Sequence, residues 1–214
     1  MASTDLIIPS VPAVAIDVTS YGTRPPGASA FALAFNSRLS SAYALVTPAA
    51  GPLYSGGIIS AALMRGHGAG RTGFWSGLVL CSTYVLGLAD ADPAHIVLAK
   101  LTLPGTLVDA APGFANVLAR STRTVAIGEW VHLRLEAMLD GSGDNMVLTA
   151  YANDLNAHPL DETPIWEPIA GLSQVIDDYP ANGGDWGLAF GASGLRRRAF
   201  ATGLTLTRVG LEPS

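Results

Sequence analysis

The chain reads as an all-β protein: an antiparallel β-sandwich with an extended N-terminal arm. Three observations predict this. Residues 128–154, GEWVHLRLEAMLDGSGDNMVLTAYAND, form two alternating runs around a Gly/Asp/Asn turn. The closing stretch, RRRAFATGLTLTRV, alternates again. Between Phe31 and Leu101, short apolar runs follow one another with Gly, Pro, Ser or Asp between them, the spacing of a sandwich.

Residues 1–28 carry Pro9, Pro12, Pro25 and Pro26. Proline fixes φ and restricts the residue before it, so this segment is expected to be an extended arm. The arm is expected to dock onto the body or onto a neighbouring chain, with Pro9 and Pro12 at the contact. Residues 29–214 are expected to form one sandwich domain.

The runs AFALAF, AYALV, GGIISAALMR, GLVLC, TYVLGLA and HIVLAKL predict successive strands. Residues 105–120 fit a short helix or a loop. In the hairpin, Trp130, His132, Arg134 and Glu136 alternate with Val131, Leu133, Leu135 and Ala137. Side chains of a strand point to opposite faces in turn, so one face is apolar and the other polar. Gly141 and Gly143 tolerate positive φ in the turn, and Asp140 and Asn145 can bond their own backbone. Residues 146–151, 164–169 and 186–190 predict further strands. In the last strand Phe200, Leu204 and Leu206 share one parity.

Composition bounds the function. Hydrophobic residues make up 49% and charged residues 14% of the 214, against roughly 25% charged in soluble domains. So few charges imply a surface of small residues, partly buried against other chains. Net charge is −5 and no basic stripe exists, which argues against nucleic acid. The single cysteine, Cys81, lies in an apolar run and reads as a buried, inert thiol. The uncharged stretches 39–64 and 72–89 are broken by Gly and Pro, so they read as buried strands, not membrane spans. The N-terminus shows no basic segment followed by an apolar run, so no signal peptide is expected and the chain is expected to be made inside the cell without export.

From Phe31 to Val209 the chain resembles the concanavalin A-like (laminin G-like) jelly-roll sandwiches. The resemblance rests on GEWVHLRLEAML turning into LTAYAND, on WGLAFG, and on AFATGLTLTRV. Relatives often carry Asp after the Phe of that last strand; Ala201 or Thr202 occupies the place here, which argues against a shared calcium site. The stretch from SGGIISAALMRGHGAGRTGFW through YANDLNAHP and PIWEPI is also similar to proteins encoded beside structural genes in tailed bacteriophages. That likeness implies a virion component: a tail, tail-tip or capsid decoration protein.

Catalytic patterns are mostly missing. Gly68-Ala-Gly70-Arg-Thr-Gly73 satisfies GxGxxG, but FWSGLVLC follows without helical amphipathy, so it reads as a hairpin loop. Ser193 misses the nucleophile elbow because Leu195 replaces the last Gly, and it reads as a turn residue. Sandwich glycosidases set two acids at alternate positions of one strand. Glu129 and Glu136 are an odd number apart and so are expected on opposite faces. No enzyme is expected.

Ligand contacts are expected at Trp75, in a Gly-rich and therefore exposed segment, and at Asp90, Asp92 and His95. Trp130 and Trp186 read as core. Loop oxygens at Asp90 and Asp92, or at Asp177, Asp178 and Asp185, could serve Ca²⁺, although acidic loop residues are ordinarily turn formers. The four histidines lack zinc spacing, and no cofactor or metal is expected. Arg196, Arg197 and Arg198 either pair with Asp177, Asp178 or Asp185 or anchor an interface. The expected function is a non-enzymatic virion protein contacting copies of itself and other virion proteins. The alternative is a carbohydrate-binding module for host-surface glycan.

Overall fold

The computed structural model describes residues 6–7, 14–20, 24–28, 31–38, 41–48, 56–66, 74–81, 83–89, 93–100, 116–178, 184–193 and 198–208. All regular structure among them is β-strand, and no helix among them is long and apolar enough to cross a membrane.

The strands are β1 (Leu6–Ile7), β2 (Val14–Ser20), β3 (Phe31–Ser37), β4 (Ser41–Pro48), β5 (Gly56–Arg65), β6 (Phe74–Leu80), β7 (Tyr84–Ala89) and β8 (Ala94–Lys100). They continue as β9 (Asn116–Val125), β10 (Trp130–Leu139), β11 (Asn145–Asn153), β12 (Glu167–Pro168), β13 (Val175–Asp178), β14 (Gly187–Ser193) and β15 (Arg198–Arg208). One antiparallel sheet runs β1-β4-β14-β6-β7-β8-β9, and the other β12-β11-β10-β5-β15-β3-β2, with β13 also paired to β11. The described residues thus form the antiparallel jelly-roll sandwich read from the sequence.

The inter-sheet core follows the strand alternation. Ile59, Leu63, Leu133, Leu135 and Leu148 from one sheet meet Leu78, Leu86, Ile96, Leu98 and Phe190 from the other. Phe35 and Phe190 stack across the layer, with ring centroids 5.7 Å apart.

The seven-stranded sheet is buried on its other face as well. Trp75, Val79, Val85, Val97, Ala99 and Ala189 form a second apolar cluster there, none more than 4% exposed. Strands buried on both faces read as continuous apolar runs, which is why LVLC, YVLGLA and IVLA show no alternation. This double burial accounts for part of the low charge that the sequence attributed to contacts with other chains.

Several expectations change. Of the arm, β1 and β2 are extended and pair with the body, β1 with β4 and β2 with β3, which is the first of the two dockings expected, whereas residues 25–28 are not extended but close a turn, the Ala28 N–H donating to the Pro25 carbonyl at 3.1 Å. Pro9 and Pro12 lie outside the described residues. Residues 116–120 belong to β9 and not to a helix or loop. Ser193 ends β14 opposite Ser41 and is not in a turn. In β15 the parity reading fails at Gly203. A bulge between Thr202 and Thr205 adds one residue, with Gly203 at φ +68°. Ala199 and Ala201 face the core before the bulge, and Leu204 and Leu206 pack against it afterwards. An extra residue switches the side-chain parity of everything beyond it.

The hairpin turn agrees with its sequence. Asp140 accepts backbone N–H groups of Ser142 (3.1 Å) and Gly143 (2.9 Å), the Ser142 hydroxyl (2.7 Å) and the Asn145 amide (2.8 Å). These donors hold its carboxyl well below the usual carboxylate range.

Candidate functional site

The outer face of the eight-stranded sheet carries cross-strand rows of polar side chains. Ala62, His132 and Asn153 lie in one row; Ser60, Arg134 and Tyr151 in the next; Ile58, Glu136 and Thr149 in the third. The alternation of β10 puts His132, Arg134 and Glu136 here because Val131, Leu133, Leu135 and Ala137 fill the core.

Asn153, buried, organises the end of this face. Its amide donates to the His158 carbonyl at 2.8 Å and meets His132 Nδ1 at 3.3 Å, while its carbonyl accepts the Ile165 N–H at 3.1 Å. Both limbs of the loop after β11 are thereby tied to the sheet, and Trp166 is delivered over it. The Trp166 ring meets His132 edge-on, with centroids 4.5 Å apart.

Arg134 lies between two rings. Its guanidinium carbon is 5.5 Å from the Tyr151 centroid and 5.6 Å from that of Trp166, within cation–π range. The same guanidinium donates to Glu136 Oε1, and Tyr151 donates its hydroxyl to Glu136 Oε2 at 3.2 Å. Arg134 Nε, buried, has no hydrogen-bond partner among the described residues. Burial and the adjacent Glu136 carboxylate raise the Tyr151 phenol above its ordinary value. Burial pushes the His132 imidazole down to about 4, so at neutral pH it is uncharged and Nδ1 can accept from Asn153.

The arrangement is fixed, aromatic and still open to solvent: the Arg134 and Glu136 side chains are 24% and 18% exposed. Beside it Ile165 is 55% exposed. Chemically it presents a cation, a carboxylate and aromatic rings on one solvent-facing surface. Acid–base cleavage of a glycoside needs two carboxylates about 5–9.5 Å apart. Glu136 is the sole carboxylate of the three rows and is already engaged by Arg134 and Tyr151. Glu129 does not extend this strand; it closes the turn before it, accepting the Ala126 N–H at 2.9 Å.

The residues singled out from the sequence lie elsewhere. Trp75 and His95 share a cross-strand row on the outer face of the seven-stranded sheet, joined through Ala89. The exposure expected of Trp75 does not hold: it is 4% exposed and lies in the second apolar cluster, against Gly191. His95 Nδ1 is 3.2 Å from the Ser121 carbonyl. Asp90, Asp92, Arg196, Arg197 and the GxGxxG segment lie outside the described residues. Arg198 is exposed at the start of β15. Trp186 is core as expected, whereas Trp130 is half-buried.

Of the loop oxygens considered for calcium, Asp90 and Asp92 lie outside the described residues. Among the described residues no three His, Cys, Asp or Glu side chains gather as a metal site. Asp177 is committed to Lys100 Nζ at 2.6 Å and to the Tyr84 hydroxyl at 3.0 Å.

No protein-family model matches the chain, and no curated protein matches its sequence. Solved structures do match. The exoplasmic/lumenal domain of VIP36, in a form bound to Ca²⁺ and Man3GlcNAc, is 11% identical with a TM-score of 0.50, covering 97% of this chain and 89% of that one. The carbohydrate-binding module CBM66 from Bacillus subtilis is 14% identical with a TM-score of 0.46, covering 92% and 96%. The catalytic domain of a GH131 β-glucanase from Podospora anserina is 11% identical with a TM-score of 0.43, covering 92% and 80%. At such identities the likeness is one of fold, of the lectin-like jelly-roll kind.

Proposed function

We propose that the chain is a non-enzymatic glycan-binding sandwich whose ligand lies on the outer face of the eight-stranded sheet. The observation that carries this reading is Arg134, held between the Tyr151 and Trp166 rings and paired with Glu136. A pyranose has an apolar C–H face and a rim of hydroxyls. Aromatic rings take the first, and ionised side chains make the strongest hydrogen bonds to the second. Asn153 fixes the Trp166 loop before any ligand arrives, which lowers the ordering cost of binding.

The virion assembly role expected from the sequence rests on its resemblance to phage-encoded proteins and gains nothing from the comparisons. A glycan array probed with the intact chain and with Trp166→Ala tests the proposal. Discrete glycan hits lost in the variant are expected; an array without hits overturns it.

A further inference from the structure

Apart from the Arg134 face, a concavity opens where three segments converge. Residues 24–26 form one wall, the end of β9 with the turn into β10 another, and the turn after β11 the third. Its volume is about 240 Å³. Pockets for drug-sized ligands run about 300–1,000 Å³, so this one suits a single small unit.

The walls are fixed by backbone bonds. The Leu160 N–H donates to the Pro26 carbonyl at 2.9 Å, and the Gly128 N–H donates to the Arg65 carbonyl at 2.9 Å. The His158 N–H donates to the Asp154 carbonyl at 2.8 Å. Gly27, at φ +74°, packs so closely on Asp161 and Leu160 that a Cβ there would overlap them.

The lining has a particular chemistry. Arg24 and Arg123 reach it from different segments, and neither guanidinium has an ion-pair or hydrogen-bond partner among the described residues. The two carboxylates present are partly committed: Glu129 Oε2 accepts the Ala126 N–H and Asp154 Oδ1 accepts the Asn156 N–H, both at 2.9 Å. Each leaves its second oxygen for a hydroxyl donor. Trp130 contributes a half-buried indole. Two uncommitted guanidiniums call for an anion, since arginine matches a carboxylate bidentately. The spare carboxylate oxygens and the indole call for hydroxyls and a C–H face on the same molecule.

We propose that this cleft binds an acidic sugar, a uronic acid unit whose carboxylate sits between Arg24 and Arg123. The inference rests on the reading of the chain as a glycan binder and narrows its ligand class. Asn153 lines the cleft and also contacts His132, so the cleft and the Arg134 face share a residue.

The test is an NMR titration of the intact chain, following the Trp130 indole N–H, with D-glucuronate, methyl glucoside and acetate as separate probes. Glucuronate is expected to shift that resonance and saturate, with affinity at least about tenfold above either other probe. The exposed pair Arg24→Gln/Arg123→Gln is expected to remove that preference while leaving the fold intact. The proposal is overturned if glucuronate leaves the resonance unmoved, if acetate binds as well, or if the double variant binds glucuronate unchanged. The broader reading fails separately: neutral glycans that bind through Trp166 while glucuronate is ignored overturn the cleft assignment alone.

Discussion

The Tyr84 hydroxyl donates to Asp177 Oδ2 at 3.0 Å and meets the Asp178 carbonyl at 3.1 Å, bonding a strand of one sheet to the edge of the other. Lys100, opposite Tyr84 in the register of β7 and β8, reaches the same carboxylate oxygen at 2.6 Å. A fully buried phenol thus finds its acceptors across the sandwich, and a single aspartate satisfies both partners.

Removing Asp177 should therefore cost more than removing the Tyr84 hydroxyl. Asp177→Ala strips Lys100 of its partner and leaves the phenol the Asp178 carbonyl alone; we expect a loss of about 1–3 kcal/mol. Tyr84→Phe should lose about 1 kcal/mol. Burial and the Asp177 charge raise the Tyr84 phenol far above its ordinary value. The unfolded chain releases that proton near pH 10 while the folded one holds it, so stability should fall as pH rises above about 10. Tyr84→Phe should flatten that fall. Urea denaturation across pH 8–11 reads both effects.

His132 makes the opposite prediction at acid pH. Its folded value is pushed down to about 4 by burial. Between about pH 6.5 and 4 the unfolded chain binds a proton that the folded chain refuses. The His132 contribution to stability should be level above that window and decline as pH falls through it, by about 3 kcal/mol at the limit. His132→Gln should remove the decline. A slope that persists in the variant assigns it to other groups.

Gly191 should not tolerate a methyl group. A Cβ there would overlap the Trp75 indole, which lies on the outer face of the seven-stranded sheet. Gly191→Ala should cost about 1–3 kcal/mol through displacement of the ring. Thermal melting reads the loss, and an unchanged midpoint would falsify the close packing of Trp75.

What the sequence revealed follows from how local each feature is. The hairpin from Trp130 to Tyr151 was legible because alternation and turn chemistry lie within one stretch, and the side of β10 bearing His132, Arg134 and Glu136 was already a polar face. Trp166 and Tyr151 could not be joined to it, because strand pairing and the Asn153 bonds assemble them from separate segments. Trp75 misled because the glycines just before it, Gly68, Gly70 and Gly73, resemble a loop, whereas Trp75 itself belongs to β6 and packs in the second apolar cluster. Gly77 and Gly87 oppose each other in the sheet, where a Cβ on Gly77 would overlap the Leu86 carbonyl and the Gly87 Cα. The bulge at Gly203 was hidden because the parity argument assumes an unbroken strand.

Within the Arg134 cluster, charge and shape are separable. Arg134→Lys keeps the charge and loses the planar group between two rings, so we expect glycan affinity to fall several-fold with little change in melting. Glu136→Gln should weaken binding as well, since it removes the partner that orients Arg134. Isothermal titration with the strongest array glycan measures both. Variants that bind as the parent does would remove the cluster from the site.

Glycan binding on the outer face of the eight-stranded sheet, as proposed, is tested most directly by calorimetric titration of the same glycan into the parent chain and Trp166→Ala. The expected result is a loss of affinity of at least about tenfold, or roughly 1.4 kcal/mol, while the variant still unfolds cooperatively. Equal affinity in the two proteins would contradict it.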